Sequence, residues 1–295
     1  MNGPAPTRPP MSAPLSISRF VRELDARLRA AGLDAPGRTA EELTARALDC
    51  RPLETRLRED VLPEAARETI EPLARRVEAG EPLRYVLGET EFMGRTFRCD
   101  RRALVPRPET ELLVERALAC GAIDAPRARV ADVGTGSGCI AASLALARPE
   151  AIVFAIDRSV EALELARENA YLHGAEERIR WRNASLLDGF EARSLELVVS
   201  NPPYVPSAVC DGLAPSVRDH EPRLALDGGS DGLDLVRRLA EQAFDALVPG
   251  GRLLIEIGYD QGAAARDLLA ARGFSGVRIL PDLAGHDRIA EACRE

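Results

Sequence analysis

The chain has 295 residues, 45% of them hydrophobic, and a formal net charge of −8, enough for two domains that each bury a core. All 39 basic side chains are arginine, a compositional bias, and no basic cluster marks a nucleic-acid groove, which needs concentrated positive charge. Six scattered cysteines without a CxxC pair and three histidines out of ligand spacing argue against a zinc site or a disulfide framework, and no apolar run reaches the length of a membrane span.

Residues 1–14 are Pro-rich, lack an apolar signal core, and are expected to be a disordered tail. From 15 to 81 the pattern is helical. Phe20, Val21, Leu24 and Leu28 share one face, and Gly32 stops that helix. Thr39 and Glu42 have capping-box spacing and are read as the opening of a second helix. Pro63 and Gly80 bracket a third helical stretch, which Pro72 is expected to divide. Residues 82–108, rich in aromatic and β-branched types with Gly88 and Gly94 as turns, read as a β-hairpin linker.

From 109 to 295 the period changes. Strand candidates at 128–133, 151–157, 178–183, 195–201 and 252–258 alternate with helix candidates at 138–148, 159–173, 231–248 and 261–272. Alternation of this kind predicts a doubly wound, Rossmann-like α/β sheet, in which ligands bind beyond the carboxyl ends of the strands.

Three motifs fall at such ends. "VADVGTGSGCIA" runs strand, glycine loop, helix, and Gly134, Gly136 and Gly138 let the backbone turn tightly against a ligand. Asp157 closes the next strand, where a carboxylate can accept from both hydroxyls of a ribose; helix capping is its plainer alternative. The loop spacing is G-x-G-x-G rather than G-x-G-x-x-G, and Asp132 precedes it. An acid there disfavours a phosphate and favours an ammonium, as in S-adenosyl-L-methionine. The third motif, "NPPY" (201–204), ends a buried strand in a stiff turn. Its Asn201 side-chain oxygen and Pro202 carbonyl can accept the two N–H bonds of a planar amide, and Tyr204 can pack against that flat group. The reaction inferred is methyl transfer to a planar nitrogen by positioning and electrostatics, with no metal.

With "GEPLRYVLGETEFMG", "VPRPETELLVE", "EPRLALDGGSDGLD", "GGRLLIEIGYDQG" and "DLAGHDRI" in order around "NPPY", the chain from about Leu15 onward resembles the release factor glutamine methyltransferases, the HemK/PrmC family. The resemblance implies a seven-stranded class I methyltransferase domain behind a small all-α, substrate-recognising domain. It implies methylation, from S-adenosyl-L-methionine, of the glutamine of the Gly-Gly-Gln motif in class I peptide chain release factors. On this sequence it places Gly134, Thr135, Gly136, Ser137 and Gly138 at the methionine end of the cofactor and Asp157 at the ribose. Asn201, Pro202, Pro203 and Tyr204 hold the glutamine amide, with Arg107, Pro108, Glu109 and Thr110 closing the pocket over the cofactor. Family members often carry an acid and an aromatic beside the adenine where this chain has Ser185 and Leu186. A cytoplasmic monomer that contacts neither nucleic acid nor membrane is expected. The alternatives are the same chemistry on a ribosomal-protein glutamine, adenine-specific DNA methylation, which would need a basic face, and a scaffold without catalysis, against which the intact "NPPY" speaks.

Overall fold

A computed structural model describes residues 15–295, so the expected tail at 1–14 lies outside the described residues. The chain divides into two compact units, Met1–Leu87 and Gly88–Glu295.

The first unit is helical: α1 (Ile17–Ala30), α2 (Pro36–Leu48), α3 (Pro52–Thr55), α4 (Glu64–Glu78) and α5 (Leu83–Leu87). Ser16 caps α1 by accepting from the Arg19 N–H, and Phe20, Val21, Leu24 and Leu28 are buried together as their spacing predicts. Two expectations fail here. Thr39 lies inside α2 and gives its hydroxyl proton to the Ala35 carbonyl, while Pro36 sets the first turn, so no capping box forms. Pro72 does not divide α4. Pro72 and Glu68, whose carbonyl the missing N–H would have met, both sit on the exposed face. Ile70, Ala74 and Val77 meanwhile hold the inner face in the core. Helix α5 also occupies the start of the segment expected to be the hairpin linker, and Tyr85 and Val86 are buried in it.

The second unit opens with the hairpin proper, β1 (Glu89–Phe92) and β2 (Arg95–Arg98), joined through Met93 and Gly94, both at positive φ. That is the backbone of a turn whose twist matches the strands. There follow α6 (Pro108–Ala119), β3 (Arg129–Val133), α7 (Cys139–Ala147), β4 (Ile152–Asp157), α8 (Val160–Leu172), β5 (Ile179–Asn183) and β6 (Leu195–Ser200). The remaining elements are α9 (Ser207–Cys210), α10 (Pro215–Arg218), α11 (Asp234–Ala246), β7 (Leu247–Glu256), α12 (Gly262–Arg272), β8 (Ser275–Pro281) and β9 (Asp287–Cys293).

Seven strands form one sheet in the order β5-β4-β3-β6-β7-β9-β8. The first five are parallel, and β9 runs antiparallel between β7 and β8. Alternate residues feed two apolar layers. Val130, Val153, Leu197 and Val199 pack with α6 and α7 on one side. Ala131, Ile156, Val198 and Leu253 pack with α11 and α12 on the other. Burial on both faces explains the nearly unbroken apolar strands. Each fully buried Leu or Ile contributes on the order of 2 kcal/mol. The chain reverses its winding at β3, which pairs with β4 on one side and β6 on the other. A crevice therefore opens beyond the carboxyl ends of these central strands. No helix among the described residues is long and apolar enough to cross a membrane.

Candidate active site

Beyond Val133 the chain turns through Gly134, Gly136 and Gly138, at φ of 73°, 54° and 78°, before α7 begins at Cys139. Gly138 is the strict requirement. A Cβ there would sit 2.8 Å from the Ala166 Cβ, so only glycine lets α8 pack under the loop. The N–H groups of Gly134 and Thr135 both bond the Ile156 carbonyl, at 2.8 and 2.9 Å, tying the loop to β4. Asn169 of α8 takes the Arg98 N–H at 2.7 Å and donates to the Ser137 carbonyl at 2.9 Å, so the hairpin, α8 and the glycine loop are fastened through one amide.

Asp132 is fully buried. Its Oδ2 accepts from the Thr135 hydroxyl at 2.6 Å and the Ala141 N–H at 3.0 Å, while Oδ1 has no partner among the described residues. Burial pushes its carboxyl up to about 7, against the pull of those two bonds. Asp132 braces the loop from beneath and does not line the cavity above it.

Asp157 does line that cavity. Its Oδ2 accepts from the Gly136 N–H at 3.0 Å and its Oδ1 from the Ser159 N–H at 2.9 Å. Helix capping belongs to Ser159, whose hydroxyl oxygen accepts from the Ala162 N–H at 3.1 Å. Each Asp157 oxygen keeps a second lone-pair site for a hydroxyl. Burial raises its pKa, partly offset by the backbone N–H bonds. Ser185 and Leu186, just past β5, also line the cavity. Leu186 is buried at φ 52°, a left-handed conformation uncommon for a branched side chain. Arg238 reaches the Ser185 hydroxyl at 3.4 Å.

Asn201 and Pro203 complete the lining on the β6 side. Val133 and Ser200 are register partners, and the Ser200 hydroxyl donates to the Val133 carbonyl at 2.7 Å. The glycine loop and "NPPY" thus spring from paired strands. A Cβ on Gly134 would lie 3.9 Å from the Asn201 carbonyl. Asn201 Nδ2 donates to Thr110 Oγ1 at 3.1 Å, and that hydroxyl donates to Glu256 Oε2 at 2.8 Å. No described residue donates to the Pro202 carbonyl. Pro202 is buried and Tyr204 half-buried; neither lines the same cavity, though both adjoin residues that do. The Tyr204 carbonyl accepts from Gln261 Nε2 at 2.9 Å. The "LDGGSDG" loop presses on this turn from behind, with Gly228 so close that a Cβ would stand 2.6 Å from the Pro203 carbonyl oxygen.

Of the four residues expected to close the pocket, Arg107 and Thr110 line it and Pro108 and Glu109 do not. Arg107 lines the cavity but its Nη2 is held by both oxygens of the buried Glu221, at 2.7 and 2.9 Å. Glu109 is exposed in the first turn of α6 and does not line it, a placement that suits the positive end of the helix. Glu256, Gln261 and Asn169 carry site contacts that the motifs did not reveal, and Thr110, expected to help close the pocket and found in its lining, also holds Asn201. Thr110 reads as the opening of a helix, and Glu256 as an oddity inside an apolar strand. A buried acid in a strand was the available signal.

Two family models match the chain: one described as the PrmC N-terminal domain over residues 20–88, and one as the Methyltransferase small domain over 109–212. A release factor glutamine methyltransferase of Moorella thermoacetica is 42% identical over 284 residues, covering 95% of this chain and 99% of its own length. The chain belongs to the release factor glutamine methyltransferase family. The relative from Neisseria gonorrhoeae is 47% identical over 231 residues, 77% of this chain and 82% of that one. A methyltransferase structure from Pyrococcus furiosus, 18% identical with a TM-score of 0.50, covers 77% of this chain and 98% of its own and shares the fold. The second unit is therefore a class I methyltransferase domain, Rossmann-like as the alternation predicts, and the protein is a methyltransferase.

Proposed function

We propose that the chain transfers a methyl group from S-adenosyl-L-methionine to the side-chain amide nitrogen of the glutamine in the Gly-Gly-Gln motif of class I peptide chain release factors. The observation that carries this reading is the origin of the glycine loop and of Asn201 on the paired strands β3 and β6, facing one cavity.

The residues present suit that cofactor. Gly134 to Gly138 leave room where side chains would intrude, Asp157 keeps lone pairs for a ribose diol, and Leu186 offers an apolar face beside Ser185 for an adenine. When bound, S-adenosyl-L-methionine supplies a methyl group on a positively charged sulfur.

The protein's task is to present a poor nucleophile well. An amide nitrogen shares its lone pair with its carbonyl. Asn201 Oδ1 and the Pro202 carbonyl accept its two N–H bonds, which fixes the plane of the amide and raises electron density on nitrogen. The consecutive prolines hold that carbonyl still. The half-buried Tyr204 ring covers the flat group, and its phenol, raised in pKa first by burial, stays neutral. The nitrogen becomes strongly acidic as it is alkylated, so its proton leaves to water without a dedicated base. The first unit is the part we assign to recognition of the protein substrate.

The test is methyl transfer from labelled S-adenosyl-L-methionine to a class I release factor, beside the same factor with its Gly-Gly-Gln glutamine changed to alanine. Label on the first alone supports the assignment. Label on both refutes the target residue, and label on neither with the cofactor still bound moves the substrate to another glutamine protein, a ribosomal one first.

A further inference from the structure

We propose that Thr110 and Glu256 are positioning residues that decide which atom of the Asn201 amide faces the substrate. The inference rests on the reading that Asn201 accepts from the substrate amide. Thr110 comes from the first turn of α6, Glu256 from the last position of β7, and Asn201 from just past β6. Three elements thus converge in a line of two hydrogen bonds, 3.1 and 2.8 Å long, with Thr110 3% and Glu256 1% exposed.

The direction of that line follows from proton counting. A threonine hydroxyl has one proton, and an ionised carboxylate can only accept. With Thr110 donating to Glu256, its oxygen has only lone pairs to offer Asn201. The amide must then turn its Nδ2 toward Thr110, and its Oδ1 is left for the substrate N–H. An asparagine alone has no such preference, because its two ends are nearly the same size. The reversed amide would set N–H against N–H and hold no substrate.

Glu256 is the origin of this polarity, and its surroundings make it titratable. It is faced by the Thr110 hydroxyl, by Arg107 and Glu109 beside the start of α6, by Arg288 of β9, and by the Tyr204 phenol. Burial, the largest influence, pushes its carboxyl up to about 7. Once protonated, the carboxyl can donate to Thr110, whose proton then turns to Asn201 and favours the reversed amide. Methyl transfer is expected to fall as pH drops through this range.

The test compares wild type with Thr110→Val, Thr110→Ser and Glu256→Gln in steady-state methyl transfer to the release factor across pH. Thr110→Val keeps shape and removes the hydroxyl; it is expected to lower kcat on the order of a hundredfold, the scale of a misplaced reacting group, with cofactor affinity unchanged. Thr110→Ser is expected to restore most of that loss. Glu256→Gln cannot titrate and, like the protonated carboxyl, can donate as well as accept, so kcat is expected to fall toward the low-pH level of wild type and the acid limb to disappear. Wild-type kcat in Thr110→Val, equal impairment in Thr110→Ser, or an acid limb that persists in Glu256→Gln would each overturn the proposal. A second readout needs no substrate and so separates this proposal from the assignment of the release factor. In 15N-labelled protein the Asn201 side-chain amide signals are expected to titrate near pH 7 in wild type and not in Glu256→Gln. Identical titration in both refutes the relay, whatever the substrate proves to be.

Discussion

Replacing Gly228 by alanine would push on the catalytic turn from outside the cavity. Gly228 is buried, is not at positive φ, and bonds the Val205 carbonyl through its own N–H at 2.8 Å. Its backbone conformation therefore tolerates a side chain, and the whole effect comes from space. A Cβ there would stand 2.6 Å from the carbonyl oxygens of Pro203 and Gly232, where ordinary contact begins at 3.4 Å. The difference, 3.4 − 2.6 = 0.8 Å, must be absorbed by backbone on both sides, and on one side that backbone is "NPPY". Overpacking of this kind costs ~1–3 kcal/mol, which in a domain of this size lowers Tm by roughly 2–12 °C. A displacement near 1 Å at a reacting group is worth about a hundredfold in rate. Gly228→Ala is thus expected to lower kcat by about that factor while cofactor affinity holds, since the Gly134 and Asp157 side of the cavity is untouched. Gly212→Ala, whose Cβ would lie at an ordinary 3.4 Å from the Val209 carbonyl, is the control. Calorimetry for cofactor binding, thermal denaturation and labelled methyl transfer read the three quantities. Wild-type turnover in Gly228→Ala, or an equal loss in Gly212→Ala, would refute the claim that this loop sets the position of the turn.

Three further outcomes are expected. Asn201→Ala is expected to bind cofactor nearly as wild type and to lose about two or more decades of turnover, as when one oriented polar group is removed; unchanged single-turnover rates would take Asn201 out of the chemistry. Asp132 has a folded pKa of about 7, raised above its ordinary 3.8, so the stability it contributes is full below pH 3.8 and is lost as pH rises through 7. The stability difference between wild type and Asp132→Asn, followed by denaturant titration, is expected to swing against wild type across that window by up to about 4 kcal/mol, and a flat difference would contradict it. A chain beginning at Gly88 is expected to keep cofactor affinity and lose release-factor methylation; parallel loss of both, read by calorimetry and label transfer, would deny the two units separate tasks.

The alternating α/β pattern, the glycine loop and the stiff "NPPY" turn were legible because each imposes a residue type that nothing else would favour. A Cβ at Gly138 meets Ala166, and two consecutive prolines can only end a ladder. The last two strands were not legible. Strand β8 carries Gly276 and Pro281 and is exposed at alternate positions, while β9, "DRIAEAC", is built from good helix formers and becomes a strand through pairing on both edges. Pro72 misled for the opposite reason, since a helix bears a proline wherever the freed carbonyl can face water. In the site, contacts between residues far apart in sequence were not legible. Thr110 and Glu256 are 146 positions apart and acquire a role only when α6 lies against the end of β7.

The pairing of Val133 with Ser200 separates precision from recognition within the fold. Methyl donor and acceptor are proposed to be held just beyond the last register pair of β3 and β6, two adjoining strands inside the sheet. Their spacing starts from the sheet's own repeat and is trimmed by the "LDGGSDG" loop where it meets Pro203. The sequence of the helical unit, to which substrate recognition is assigned, can then change while the reacting atoms stay in register.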